Sequence, residues 1–296
     1  MYQVDNAVIM AAGASSRFAP LSYEIPKGLV EVRGEILIER QILQLRAAGV
    51  PEIYVVVGYK AEQFIYLEEK FGVHLIYNHE YLTRNNHSSI YAARMVIGNS
   101  YICSADNYFA SNPFESTVDE SYYAAVYASG TTNEWCLDFD ENDYITHVQV
   151  GGADAWYMLG HAFWSEAFSR KFLKILDMVY TLPETKNLFW EDIFSRNLSS
   201  LKMKIRQYPA DVIHEFDSID ELRLFDTSYV ANTRSVILKH IAQVLGGTES
   251  EITGICPWKG KMTVAEGICF VFREAEYIYL YADKTIREIN NVEKDC

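Results

Sequence analysis

Apolar and polar positions fall in regular blocks along the first 110 residues. Ala7-Val8-Ile9-Met10 is an unbroken apolar run, the pattern of a strand covered on both faces. A loop of small residues follows, after which Ile38, Ile42 and Leu45 recur at helical spacing. Gly49 sits where a helix can stop in a left-handed turn, and Pro51 blocks its continuation. Ile53-Tyr54-Val55-Val56-Val57 predicts a second buried strand, followed by a helix with Phe64, Leu67 and Phe71 on one face and a stop at Gly72. Residues 73–77 predict a third strand, residues 88–96 a helix, and Tyr101-Ile102-Cys103 a fourth strand. Strands alternating with helices over short connections predict an α/β fold, a doubly wound and mostly parallel Rossmann-like sheet. Such sheets bind ligands beyond the C-terminal ends of their strands.

The texture changes at Tyr122. The runs YYAAVYA, WCLDF, ITHVQV and YMLGHAFW predict antiparallel strands over the mouth of the sheet. A helix over residues 165–180 carries Phe168, Phe172, Ile175 and Val179 on its apolar side, and Ser218 with Glu221 forms a capping-box pattern at the start of another. Beyond Tyr229 come an amphipathic stretch to Leu245, the pair Gly246-Gly247 and three short apolar runs. These features predict a catalytic domain over residues 1–229 and a small α+β appendage over residues 230–296. So short an appendage buries little core alone and is expected to lean on the main domain.

Composition narrows the partners. Lys and Arg number 26 against 40 Asp and Glu, a net charge of −14. That field repels nucleic acid and anionic membrane surfaces. The five cysteines, Cys103, Cys136, Cys256, Cys269 and Cys296, show neither a CxxC pair nor zinc-ligand spacing and read as reduced thiols. The start of the chain lacks a basic leader pattern, and no apolar run reaches the length of a membrane span. A soluble, cytoplasmic protein is expected.

The most informative stretch is Ala11-Ala12-Gly13-Ala14-Ser15-Ser16-Arg17, followed by Pro20-Leu21 and Pro26-Lys27. Small residues after a buried strand let backbone N–H groups approach a polyphosphate, and Gly13 can adopt a positive φ. Arg17 and Lys27 are the only basic residues among the first 30, and both flank this loop. They are suited to neutralising phosphate charge. The loop matches neither GxxxxGK[ST] nor GxGxxG, which counts against P-loop ATPases and dinucleotide-dependent dehydrogenases. Asp106 follows the fourth strand, so it is expected at that strand's C-terminal end. Asp217 directly precedes the capping Ser218. On local grounds alone, Asp106-Asn107 also suits a turn and Asp217 a helix N-terminus.

AAGASSR, then Pro-Leu, then PKG, ahead of a helix beginning near ILIERQI, resembles the signature of nucleotidyltransferases that make sugar nucleotides and related activated alcohols. Within that superfamily the chain most resembles bacterial choline-phosphate cytidylyltransferases. The resemblance spans residues 5–226 through VGYKAEQF, NHEY, NNHSSIYAA, SADNYF, TNEW, FWED and HEFDSIDEL. Ser15 stands where many members carry a second glycine. The EKP segment of many sugar-nucleotide enzymes is missing, which counts against a hexose phosphate.

The resemblance implies that Asp106 and Asp217 hold Mg²⁺ between the α-phosphate of CTP and the incoming phosphate, with Arg17 and Lys27 completing the catalytic set. It implies that Ala11, Ala12, Gly13, Ala14, Ser15, Asn86 and Ser88 line the nucleotide pocket. Trp135 and Trp190 are implied to face the quaternary ammonium of phosphocholine, with Glu215 balancing its charge and Phe189 and Asp192 as further candidates. Aromatic faces suit a cation that has no N–H to donate. The expected reaction yields CDP-choline and pyrophosphate. Open alternatives are a 2-aminoethylphosphonate or phosphoethanolamine acceptor, a sugar-1-phosphate nucleotidyltransferase, and an inactive nucleotide-binding regulatory module. The segment from ILKHIAQVLGG to YIYLYAD resembles the beginning of a choline kinase small lobe, in which a loop like KGKMT joins two strands. The kinase's catalytic base and metal aspartates have no counterpart in it, so kinase activity is not expected. A packed remnant serving as a candidate homo-oligomer contact is expected instead.

Overall fold

The computed structural model describes residues 1–259 and 265–289. The chain forms two compact units, and their division departs from the expected boundary near residue 230. One unit takes Met1–Gly13 and Leu37–Glu215; the other takes Ala14–Ile36 and the residues from Phe216 onward. The loop after the first strand therefore starts in one unit and continues in the other.

The first unit is built on a seven-stranded sheet. Its strands are β1 (Asn6–Ala11), β2 (Glu52–Val57), β3 (His74–Tyr77), β4 (Ser100–Ser104), β5 (Tyr122–Phe139), β6 (Ile145–Trp164) and β7 (Lys204–Tyr208), in the order β7-β5-β6-β4-β1-β2-β3. β1 runs parallel to β2 and β4, and β2 parallel to β3. β6 pairs antiparallel with β4 and β5. The predicted antiparallel strands are thus continuous with the main sheet and extend it. β1 is buried along nearly its whole length, as its unbroken apolar run requires.

Around the sheet lie α1 (Leu37–Ala47), α2 (Tyr66–Phe71), α3 (His87–Ala93), α4 (Glu166–Val179) and α5 (Trp190–Ser195). Helical periodicity decides which faces are buried: Ile38, Ile42 and Leu45 on α1, and Phe168, Phe172 and Leu176 on α4. Gly49 adopts φ 84°. Its N–H donates to the Arg46 carbonyl while the Val50 N–H reaches Leu45, a paired closure that needs the left-handed residue. One core cluster joins Val8, Val56 and Ile102 of the sheet to Trp164, Phe172, Trp190 and Phe194.

The second unit holds the helical turns Ser16–Phe18, Leu21–Glu24 and Lys27–Leu29, then α6 (Ile219–Phe225) and α7 (Val236–Leu245). It ends in an antiparallel sheet of β8 (Ile252–Trp258), β9 (Gly267–Phe272), β10 (Ala275–Leu280) and β11 (Ile286–Glu288), in that order. Ser218 caps α6 by accepting from the Glu221 N–H at 3.2 Å, as the sequence pattern requires. Residues 260–263 of the expected KGKMT turn, and Cys296, lie outside the described residues. Among the described residues no helix is long and apolar enough to cross a membrane.

Candidate active site

In the first unit, β1 delivers Ala11 and Ala12, both buried, to the strand's C-terminal end. The Ala12 carbonyl accepts from the Tyr59 N–H at 3.0 Å. A side chain at Gly13 would meet no atom within 4 Å, so the backbone there is open to approach. The expected positive φ belongs to Ser15 instead (φ 47°, ψ 49°), in the second unit beside Ala14. Its position fits the left-handed bend that leads into the Ser16–Phe18 turn.

Asp106 lies half-buried in the turn after β4, as expected of a residue at a strand end. Asn107 beside it is 1% exposed, and neither end of its amide finds a hydrogen-bond partner. The next residues, Tyr108–Phe109, pair with Ile213–His214, which fixes the chain just ahead of Glu215.

The FWED segment resolves residue by residue. Trp190 is 1% exposed, stacked on Tyr123 (centroids 5.4 Å apart, planes at 12°) and edge-on to Trp164 and Phe172. This corrects the expectation that it faces an ammonium: its ring fills the core. Phe189, 41% exposed, takes the outward place and meets half-buried Trp135 edge-on at 6.0 Å and 72°. Asp192 folds back and accepts from the Phe189 N–H at 2.7 Å. It caps α5 and sets the backbone of Phe189, a correction to its reading as a ligand group. Phe189 is the extended N-cap residue (φ −75°, ψ 159°) and Trp190 the first residue of the helix, so the backbone changes direction between them and one ring faces out while the other faces in.

Glu191 was not singled out in the sequence, yet it is the most perturbed acid of the unit. Its carboxylate accepts from Asn86 Nδ2 at 3.0 Å and from the Tyr123 hydroxyl at 3.1 Å. Burial raises its pKa to about 7 against the pull of those donors. Tyr123 is in turn held well above the usual phenol range, first by burial and then by the charges of Glu191 and Glu215. Tyr157, also missed, is half-buried and raised by burial and by Glu134 and Glu215. Glu215 itself is exposed. Trp135, Phe189, Tyr123 and Tyr157 together with Glu134, Glu191 and Glu215 therefore make an aromatic, acidic region of one unit.

Two of the expected base contacts have other duties. Asn86 donates to Glu191 and accepts from the Trp190 N–H at 2.7 Å, so both ends of its amide are engaged. Buried Ser88 donates to the Asn85 carbonyl and accepts from Asn78 Nδ2, each at 2.8 Å. Their side chains tie the β3–α3 turn together.

The second unit brings Arg17, Lys27 and Asp217 together. Arg17 Nη1 lies 2.5 Å from Asp217 Oδ2, and Lys27 Nζ lies 3.8 Å from Oδ1. The side chain of Arg17 is 73% exposed and that of Lys27 only 5%. Asp217 also anchors α6, its N–H donating to Glu221 Oε2 at 2.8 Å. Among the described residues no group of three or more His, Cys, Asp or Glu side chains can hold a metal by itself. Mg²⁺ characteristically takes one or two carboxylates and completes its shell with water and substrate phosphate. Asp217, an oxygen donor already balanced by two cations, fits that chemistry.

A parallel sheet with a small-residue loop after its first strand in one unit, and an acid–base cluster in the other, are features that a nucleotidyltransferase requires. The model of the MobA-like NTP transferase domain matches residues 7–126. The chain is 39% identical over 234 residues to a 2-aminoethylphosphonate cytidylyltransferase of Lancefieldella rimae, covering 78% of this chain and 95% of that one. It is 34% identical over 218 residues to a choline-phosphate cytidylyltransferase of Streptococcus pneumoniae, covering 74% and 95% respectively. The solved structure of the S. pneumoniae CTP:phosphocholine cytidylyltransferase superposes with a TM-score of 0.73 at 33% identity, over 77% of this chain and 99% of that one. The chain belongs to the cytidylyltransferases of the nucleotidyltransferase family.

Proposed function

We propose that the chain transfers CMP from CTP to phosphocholine, giving CDP-choline and pyrophosphate in a Mg²⁺-dependent reaction. The observation that carries the acceptor is the open corner of Trp135 and Phe189 in an acidic region, since aromatic faces attract a desolvated quaternary ammonium by about 0.5–2 kcal/mol each. In the transfer, a phosphate oxygen of the acceptor attacks the α-phosphorus of CTP in line. The bond from that phosphorus to the β-bridging oxygen breaks, and its electron pair leaves with pyrophosphate. Asp106 and Asp217 are the proposed oxygen ligands of the metal, which supplies charge neutralisation between two phosphates when bound. Lys27, buried beside Asp217, offers a fixed cation to the nucleotide's phosphates. Arg17, exposed on its long stem, is proposed to exchange Asp217 for the departing β- and γ-phosphates. No covalent enzyme intermediate is required, because positioning and charge stabilisation carry phosphoryl transfer.

A second reading, a primary-ammonium acceptor such as 2-aminoethylphosphonate, is favoured by a different observation. With Trp190 in the core, fewer aromatic faces remain, while the exposed carboxylates of Glu134 and Glu215 offer acceptors suited to an ammonium that carries N–H. Pyrophosphate release from CTP and Mg²⁺, measured with phosphocholine, phosphoethanolamine, 2-aminoethylphosphonate and a sugar 1-phosphate, decides between them. The highest kcat/KM is expected for phosphocholine. A clear preference for an aminoethyl acceptor replaces the first reading by the second, and activity only with a sugar 1-phosphate overturns both.

A further inference from the structure

We infer that the described residues between Phe225 and Tyr281 are the frame that holds the catalytic cations, with Glu24 as the positioning residue through which they act. The inference rests on the assignment of Arg17, Lys27 and Asp217 to CMP transfer. All the contacts lie within the second unit. Glu24 closes the single helical turn between Phe18 and Lys27, and its carboxylate takes three hydrogen bonds from the start of α7: Ser235 Oγ at 2.8 Å, Val236 N–H at 3.0 Å and Ile237 N–H at 2.9 Å. A helix N-terminus presents unsatisfied N–H groups and a positive dipole end, so a carboxylate is its natural partner. Beside Glu24, Tyr23 stacks on Tyr281 with centroids 4.0 Å apart and planes at 15°.

The other side of Lys27 is stitched in the same way. The Tyr229 hydroxyl donates to the Glu31 carbonyl at 2.5 Å, Arg234 pairs with the Glu31 carboxylate at 3.1 Å, and the Arg33 N–H donates to Asp226 at 2.7 Å. Asp217 is braced through α6. Buried Arg223 of that helix donates to the carbonyls of Ile252 at 2.6 Å and Glu249 at 2.7 Å, and Asp220 accepts from the Gly254 N–H at 2.8 Å. Strand β8 also packs along the Ser16–Phe18 turn that carries Arg17. On both sides of Lys27 the segment bearing the cations is thus held by residues between Asp226 and Tyr281, far away in sequence. Between a fifth and about a quarter of the chain lies outside the alignments with the relatives described above, which take in 78% and 74% of it. The C-terminal residues are therefore part of the phosphate-binding apparatus.

The test uses the full chain as wild type, Glu24→Ala and Ser235→Ala, with KM for CTP, KM for phosphocholine, kcat and melting midpoint measured for each. Loss of the Glu24 brace frees the Lys27 segment, so Glu24→Ala is expected to raise the KM for CTP about tenfold while the acceptor KM stays within about twofold. Ser235→Ala removes one of the three donors and is expected to raise the KM for CTP roughly threefold. Glu24→Asp, which keeps the charge on a shorter stem, is expected to recover part of the loss. A general structural role would lower the melting midpoint and move both KM values together. Either that result, or a KM for CTP unchanged in both Ala variants, overturns the inference. If Glu24→Ala fails to fold, the Ser235→Ala result decides in the same way. Wild-type protein that releases no pyrophosphate with any acceptor overturns instead the assignment on which the inference depends.

Discussion

The aromatic region of the first unit and the cation cluster of the second hold their charged groups by opposite means. Around Glu191 the groups are buried and mutually fixed. Asn86 and Tyr123 donate to its carboxylate, Tyr123 stacks on Trp190, and Trp190 packs on Trp164 and Phe172. Around Asp217 the arrangement depends on opposite charges, and one partner, Arg17, is largely exposed. A buried hydrogen-bonded set is costly to rearrange, whereas an exposed ion pair is worth about 1 kcal/mol or less and exchanges partners readily. The first arrangement suits recognition of one small cation. The second suits a site whose charges must pass from protein to triphosphate and back.

The comparison is broken most directly at Asp217. Asp217→Asn is expected to lower kcat about a thousandfold while the melting midpoint moves by only a few degrees, because the lost group serves the transition state more than the fold. A variant that keeps full activity at saturating Mg²⁺ removes Asp217 from the metal site. The opposite signature is expected at Trp190. Trp190→Ala should cost about 3–5 kcal/mol in urea unfolding, since it empties part of the core. Phe189→Ala should cost little stability and act on the acceptor KM. If the two variants exchange these effects, the inward and outward assignments are wrong.

Trp135→Ala sharpens the acceptor side. It is expected to raise the KM for phosphocholine roughly tenfold more than that for 2-aminoethylphosphonate, because only the quaternary ammonium depends wholly on ring faces. Equal losses on both acceptors would remove the aromatic corner from recognition. The smallest effect is a pH dependence at Glu191. Its pKa is raised in the folded chain to about 7, so the free protein favours the neutral acid and loses stability as pH rises from about 4.5 through 7. A bound ammonium favours the charged form, so the acceptor KM should fall about fivefold between pH 6 and pH 8, and Glu191→Gln should flatten that profile. A slope that persists in the variant assigns the titration to another group.

The strands and helices of the first unit were legible because burial follows local periodicity: Ile38, Ile42 and Leu45 face the core as their spacing requires. Asp106 at the end of β4 and the capped start of α6 were legible for the same reason. The inward turn of Trp190 was not, because either of two adjacent aromatics could fill the core and the choice depends on where α5 begins. Gly13 was the natural residue for a left-handed bend, but the bend falls two residues later at Ser15, where the Ser16–Phe18 turn starts. Least legible was the union of residues 14–36 with the C-terminal part. Glu24 and Ser235 are joined across 211 positions, and such a bond leaves no repeating pattern along the chain.

Phe189, Trp190, Glu191 and Asp192 serve four different destinations in four consecutive positions: outward, into the core, towards Tyr123 and back onto their own backbone. Such a stretch has no spare reading frame. Deleting one residue ahead of it would bring a carboxylate to the packed interior and an indole to the outward place, and inserting one would put the phenyl ring in the core and the indole in the buried place of Glu191. On the proposed assignment, acceptor preference is therefore open to adjustment by replacing the ring at Phe189, and closed to adjustment by changing the length of the segment that leads to it.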